Sequence, residues 1–150
     1  MLKKLIALLF AFLLIGAGIS VHAQQKETKR IVSERLIVKV DIFSVIPRSL
    51  KVSPDSKRVA YVGRKGDKLF VVVNGEEGKG YDDIGFGSLI FSPDSKRVAY
   101  EAREGNKWFV VVDGEEGKRY DGIGVDTLIF SPDSKRVAYM AREGKNGLWL

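Results

Sequence analysis

Nine residues, Ser-Pro-Asp-Ser-Lys-Arg-Val-Ala-Tyr, begin at Ser53, at Ser92 and again at Ser131, so one segment returns at a fixed interval of 39 residues. Aligned without a gap, 53–91 and 92–130 agree at 28 of 39 positions. A unit of about 40 residues is too small to bury its own apolar face, so chains built from such units stack them and bury a continuous core between neighbours. The period constrains the fold more tightly than composition does. It also directs the search for function towards surfaces, because stacked repeats serve mainly as binding platforms.

One unit reads as strands. Within 88–126, the apolar run Ser88-Leu89-Ile90-Phe91 leads into Ser92-Pro93-Asp94-Ser95. Proline presets φ for the second position of a turn there, and the serine and aspartate side chains hydrogen-bond local backbone. Residues 97–102 alternate in character, 103–106 turn the chain, and Trp108-Phe109-Val110-Val111-Val112 is the aromatic and β-branched run of a buried strand. Asp113-Gly114, like Asn74-Gly75 one unit earlier, is a two-residue hairpin signal, since both residues tolerate positive φ. Residues 115–123 then read as a fourth, more polar strand ending at Gly124. Proline and glycine interrupt the pattern every eight to twelve residues or so, which excludes helical repeats. The expected fold class is all-β, with four-stranded antiparallel blades of a β-propeller, about 39 residues per repeat.

The segment Phe-Ser-Pro-Asp-Ser-Lys-Arg-Val-Ala-Tyr, at 91–100 and 130–139, resembles the WD-like propeller repeat of TolB-type periplasmic proteins. It is also similar to repeats in the propeller domains of prolyl-oligopeptidase-type serine peptidases. The resemblance covers about residues 49–150, with Val52 standing in the first copy where the others have Phe91 and Phe130. It implies a closed disc with a binding channel or face and specifies no ligand. The repeats run 53–91, 92–130 and a truncated 131–150, inside a partial propeller over 35–150, with 35–46 expected to supply outer strands of an earlier, degenerate blade. That makes two and a half to three blades, whereas propellers close with about four to eight. Three expectations follow: a fragment of a longer reading frame, copies that associate to complete the disc, or a sheet left open and covered in another way.

The first 23 residues are of another kind. Lys3 and Lys4 precede an unbroken apolar run over 5–15, and Val21-His22-Ala23 sets small residues at −3 and −1 of a cleavage site after Ala23. This is the layout of a secretory signal peptide, too short in its apolar part for a ~20-residue membrane anchor. No cysteine follows it, so a lipid anchor is excluded, and the mature chain is expected in the bacterial periplasm or outside the cell without a stable membrane span. Residues 24–34 read as a polar linker. Without residues 1–23 the net charge falls from +6 to +4, and the remaining charges alternate in sign. Nucleic acid is therefore not an expected partner, since it calls for a same-sign stripe.

His22 is the only histidine and the chain has no cysteine, which removes Ser-His-Asp and Cys-His nucleophilic systems and the usual zinc sets. Ser53, Ser92 and Ser131 recur as turn formers with no base available. The adjacent pairs Glu76-Glu77 and Glu115-Glu116 point to opposite faces of a strand and do not make a hydrolase pair. Neither residues 113–116 nor 81–83 follow the order of a calcium loop, and the glycine-rich stretches 78–80 and 85–87 lack the helix of a phosphate cradle. No catalytic residue, metal or cofactor is expected. Individuality lies where the repeats differ: Leu69/Trp108, Gly80/Arg119, Asp83/Gly122, Phe86/Val125 and Gly87/Asp126. From these, Phe86, Trp108, Arg119 and Asp126 form the candidate binding surface. The expected function is an exported, non-enzymatic module that binds an envelope protein or polymer. The alternative is the propeller part of a secreted peptidase or glycan-active enzyme whose catalytic domain lies outside this chain.

Overall fold

The computed structural model describes Leu36 and residues 44–144 of the 150. The signal peptide with its cleavage at Ala23, the linker 24–34 and the apolar run 148–150 lie outside the described residues. The described residues are all-β, without a helix. Strands β1 (Lys51–Val52), β2 (Val59–Lys65), β3 (Lys68–Val73) and β4 (Glu76–Glu77) form an antiparallel sheet in chain order. A second sheet holds β5 (Asp83–Ile84), β6 (Ile90–Phe91), β7 (Val98–Glu104), β8 (Lys107–Val112) and β9 (Glu115–Glu116). A third group comprises β10 (Gly122–Ile123), β11 (Ile129–Phe130), β12 (Val137–Ala138) and β13 (Ala141–Arg142). The long hairpins share one register 39 residues apart: Ala60↔Val73 to Lys65↔Lys68, and Ala99↔Val112 to Glu104↔Lys107.

Two-residue turns close these hairpins at 66–67 and 105–106, and two more join β3 to β4 and β8 to β9. Asn74 and Gly75 have φ of 54° and 93°, and Asp113 and Gly114 have 53° and 88°, the doubly positive geometry that suits a right-twisted two-residue hairpin. The turn side chain does further work. Asn74 Oδ1 accepts the Val59 N–H at 3.1 Å, and Asp113 Oδ1 accepts that of Val98 at 2.9 Å. Each turn thus pins the start of β2 or β7, the strand paired with the other edge of the one it follows.

One expectation is corrected by the pairing. The fourth strand does not continue through residue 123. Glu115–Glu116 pair with β8, and Tyr120 exchanges backbone hydrogen bonds with Trp108 at 2.8 and 2.9 Å. Gly122 and Ile123 then pair with Arg142 and Ala141 of the next unit. The pivot is Asp121, whose carboxylate meets Lys107 at 2.6 Å on one side and the Gly144 N–H at 2.7 Å on the other. Asp82 does the same one unit earlier, between Lys68 and the Gly105 N–H, both at 2.6 Å. Accordingly β5 and β6 are two halves of one interrupted strand along the same edge of β7. Of the stretch 35–46, the described residues 44–46 line up on β2, with Val45 bridged to Gly63 and the Ile46 N–H donated to the Val62 carbonyl at 2.8 Å, as 83–84 do on β7 and 122–123 on β13.

Val59 to Gly63 and Val98 to Ala102 are buried on both faces, which requires layers on both sides of these strands. One face of the second sheet, with Tyr100, Ala102, Phe109 and Val111, packs on Ala60, Val62, Val71 and Tyr81 of the first unit. Its other face, with Ala99 and Val110, packs on Leu128 and the flanking Ile123 and Phe130. Alanines with no exposure, at 60, 99 and 102, let the layers approach closely. Tyr81 stands edge-on to Tyr100 and Phe109, with centroids 6.2 and 5.6 Å away, geometry that adds to area burial.

The repeated nonapeptide joins each unit to the next. Ser53, Ser92 and Ser131 each donate to the aspartate two residues on, at 2.6, 2.6 and 2.5 Å, locking the turn. The Asp55 N–H then donates to Ser95 Oγ of the following copy, and that of Asp94 to Ser134 Oγ, both at 3.0 Å. Arg58 reaches the Ser95 carbonyl at 2.9 Å and Arg97 the Lys135 carbonyl at 3.0 Å, while their guanidinium groups lie 5.4 and 5.7 Å from the Phe91 and Phe130 rings. Ser95 and Ser134 are buried, so the bonds they accept are shielded from water. Ser95→Ala leaves the Asp55 N–H without its acceptor and is expected to cost about 1–3 kcal/mol, read as a lower urea midpoint. The exposed neighbour substitution Lys96→Ala is expected to shift that midpoint by less than about 0.5 kcal/mol.

Candidate functional site

Stacking leaves a cleft wherever one sheet meets the next, and the clefts at the two junctions are related by the 39-residue period. The first encloses about 190 Å³ and is walled by Val62, Leu69, Ile84, Phe86 and Leu89, with Arg48 at its edge. The second encloses about 250 Å³ between Phe86, Glu101, Trp108, Ile123, Val125 and Asp126. On one scaffold, the first cleft adds Arg48, Lys51, Arg64 and Asp83 to its apolar wall, whereas the second is aromatic and its only charged side chains are the acids Glu101 and Asp126. A third, larger cavity of about 500 Å³ lies beside the hairpin turns, with Arg58 and Asp113 in its wall. There Arg58 is held by the Ser95 carbonyl and Asp113 by Arg97 at 2.8 Å, so these charges already serve the scaffold.

Glu101 is the unusual member of the second cleft. It lies on β7 and is only 6% exposed, at the position filled by Val62 in the first unit and Met140 in the third. The backbone around it does not depend on that choice. Ser88 Oγ accepts the Glu101 N–H at 3.0 Å and donates to the Gly85 carbonyl at 2.7 Å. Ser49 serves Val62 and Ile46 in the same way, and Thr127 serves Met140 and Gly124. The Glu101 carboxylate lies over Gly85, with Oε2 only 2.8 Å from where a Cβ on that residue would stand, so the glycine makes room for the acid. Among the described residues its carboxyl has neither a hydrogen-bond donor nor an ion-pair partner. Burial pushes its pKa above the ordinary value of 4.5, and the Asp126 carboxylate adds to the rise.

Of the residues singled out by repeat differences, Phe86, Trp108 and Asp126 meet at this cleft. Phe86 is 77% exposed and Val125 80%, so both stand at the rim, while Glu101 is at the base. Asp126 occupies a left-handed position with φ of 57°, where Arg48 (65°) and Gly87 (78°) stand in the other units. Arg103 stacks on Trp108 at 5.7 Å and is itself held by the Gly105 carbonyl at 2.7 Å. Arg119 is elsewhere. It binds Glu104 at 2.7 Å and Glu116 at 3.0 Å and lies 4.5 Å over the Phe109 ring. Glu101 itself is absent from the residues picked from the sequence, although the Val62/Glu101/Met140 comparison signals it: an acid within an apolar column.

Among the described residues no group of three or more His, Cys, Asp or Glu side chains is placed to hold a metal ion. Comparison with models of protein families finds none that matches the chain, and comparison with curated proteins finds no similar sequence.

An acid whose folded pKa is raised stabilises the fold fully below its unfolded pKa and loses that contribution as pH rises through the folded value. Stability is therefore expected to fall between the ordinary glutamate value and the raised one, and Glu101→Gln to flatten that part of the profile. Glu101→Met, which installs the third unit's residue, is expected to stabilise by about 1–3 kcal/mol by replacing a partly desolvated acid with an apolar side chain. Thermal midpoints measured across the range check both.

Proposed function

We propose that this chain is an exported, non-enzymatic repeat module of the β-propeller type that binds a partner in the cell envelope through the cleft between its second and third sheets. The observation that carries this reading is the contrast between two clefts built on one scaffold. The repeats are identical at 28 of 39 positions, yet their differences at 62/101, 69/108, 86/125 and 87/126 concentrate at the clefts. Drift has no preference for a cleft wall, whereas recognition does. Burying an unpartnered acid also opposes folding, and stability given up at one site is the usual mark of a site kept for use. The four-stranded antiparallel units, their face-to-face stacking and the TolB-type turn motif support the propeller assignment. The leader-like residues 1–23 support export.

The test uses the full chain as bait for envelope extracts, beside a variant returned to the first unit's residues, Glu101→Val with Trp108→Leu and Asp126→Gly. A partner retained by the natural chain and lost by the variant is the expected result. Equal recovery by both would overturn the cleft as the binding site. Light-scattering mass on the same preparations addresses the propeller: a defined multiple of the chain mass is expected if copies complete a closed disc.

A further inference from the structure

The lining of the second cleft specifies the chemistry of what it takes. Its side chains offer two carboxylates, Glu101 and Asp126, and the apolar surfaces of Phe86, Trp108 and Val125. The only side-chain hydrogen-bond donor in that wall is the Trp108 indole N–H. A sugar, a phosphate or a peptide carboxylate would meet acceptors where it needs donors. A group that is all donor and positively charged meets complementary atoms instead. An acid buried without a partner wants such a group, because a cation within hydrogen-bond reach offsets its desolvation.

The order of the wall adds a shape. Phe86 and Val125, 77% and 80% exposed, form the rim together with the exposed Asp126, and Glu101, 6% exposed, lies at the base. A ligand that reaches Glu101 tip first lays the rest of its length along Phe86 and Val125, so its own order is a charged tip on an apolar stem. The volume of about 250 Å³ holds such a stem, being several times the share of about 30 Å³ that one water occupies. Lysine has this form, with four methylenes that bury along apolar surface and a compact ammonium bearing three donors. The indole of Trp108 also offers a π-face that attracts cations.

We propose that the cleft between the second and third sheets is a receptor for a lysine side chain of a partner polypeptide, its ammonium paired with Glu101 at the base within the field of Asp126 at the rim, and its stem lying along Phe86, Trp108 and Val125. The first cleft has Val62, Leu69 and Gly87 in the matching positions and Arg48, Lys51 and Arg64 beside Asp83 in its wall, a lining that disfavours a cation. The proposal rests on the reading of this cleft as the binding site and names what it recognises.

The experiment titrates the full chain with N-acetyl-lysine methylamide and, in parallel, with its neutral isostere N-acetyl-norleucine methylamide, followed by NMR shifts or calorimetry. Saturable binding of the lysine compound at least about tenfold tighter than the norleucine compound is expected, because one well-placed buried charge contact exceeds 1.4 kcal/mol. Glu101→Met and Glu101→Gln are each expected to abolish the preference. Asp126→Gly, which installs the residue found at the matching position 87, is expected to reduce it. Glutamine keeps the shape of the acid, so the outcome does not depend on the methionine variant folding, which circular dichroism reports. Equal binding of the two compounds, or a preference unchanged in both Glu101 variants, overturns the lysine assignment while leaving the cleft a binding site. Failure of either compound to bind also overturns it, and loss of the envelope partner in the triple variant then still identifies the cleft.

Discussion

Everything in this fold depends on the link that each Ser-Pro-Asp-Ser-Lys-Arg turn makes to the next copy. A unit of 39 residues cannot enclose a core, so its stability is settled at its borders. There the Asp55 N–H finds Ser95, Arg58 finds two carbonyl groups and the ring of Phe91, and the same bonds recur between Asp94, Arg97, Ser134 and Phe130. The first motif donates to the second and the second to the third, so the middle copy is donor ahead and acceptor from behind. A substitution in one copy therefore breaks a bond to another, which gives a physical reason for nine residues to recur unchanged.

The second device is the strand that leaves its own unit. After Tyr120 the chain abandons β8 and pairs with β13, just as it leaves β3 after Tyr81 to pair with β7. Asp82 and Asp121 hold both ends of that transfer, binding a lysine behind and a backbone N–H ahead. Successive sheets thereby share a covalent strand as well as a buried face. Strands β2 and β7 are consequently buried on both sides, and the alternation that marks a half-exposed strand gives way to continuous burial from Val59 to Gly63.

Against so uniform a scaffold, the second cleft stands out by chemistry. Glu101 sits in a column that is otherwise Val62 and Met140, bracketed by the same Ser or Thr hydroxyl in all three units. Its burial works against the fold, and nothing in the hydrogen-bonding of β7 requires it. A charge where packing would favour an aliphatic residue is the feature on which the proposed binding role rests.

Much of the architecture was legible in the chain itself. The 39-residue period, the Pro-Asp and Asn-Gly or Asp-Gly turns, and the β-branched runs between them specify antiparallel hairpins of known register, because turn geometry and strand periodicity are local properties. The contrast between repeats also picked out Phe86, Trp108 and Asp126. Local rules do not say which edge a short polar strand will join, so the transfer of 122–123 to the next unit was decided by Asp121 and by the open edge of β13. Nor do they reveal that Trp108 and Asp126, 18 positions apart, close on Glu101 while Arg119 turns away to Glu104 and Glu116. Those are outcomes of stacking: once the units dock, the face of a strand becomes the floor of a cleft, and an acid that reads as one more surface charge becomes a buried one.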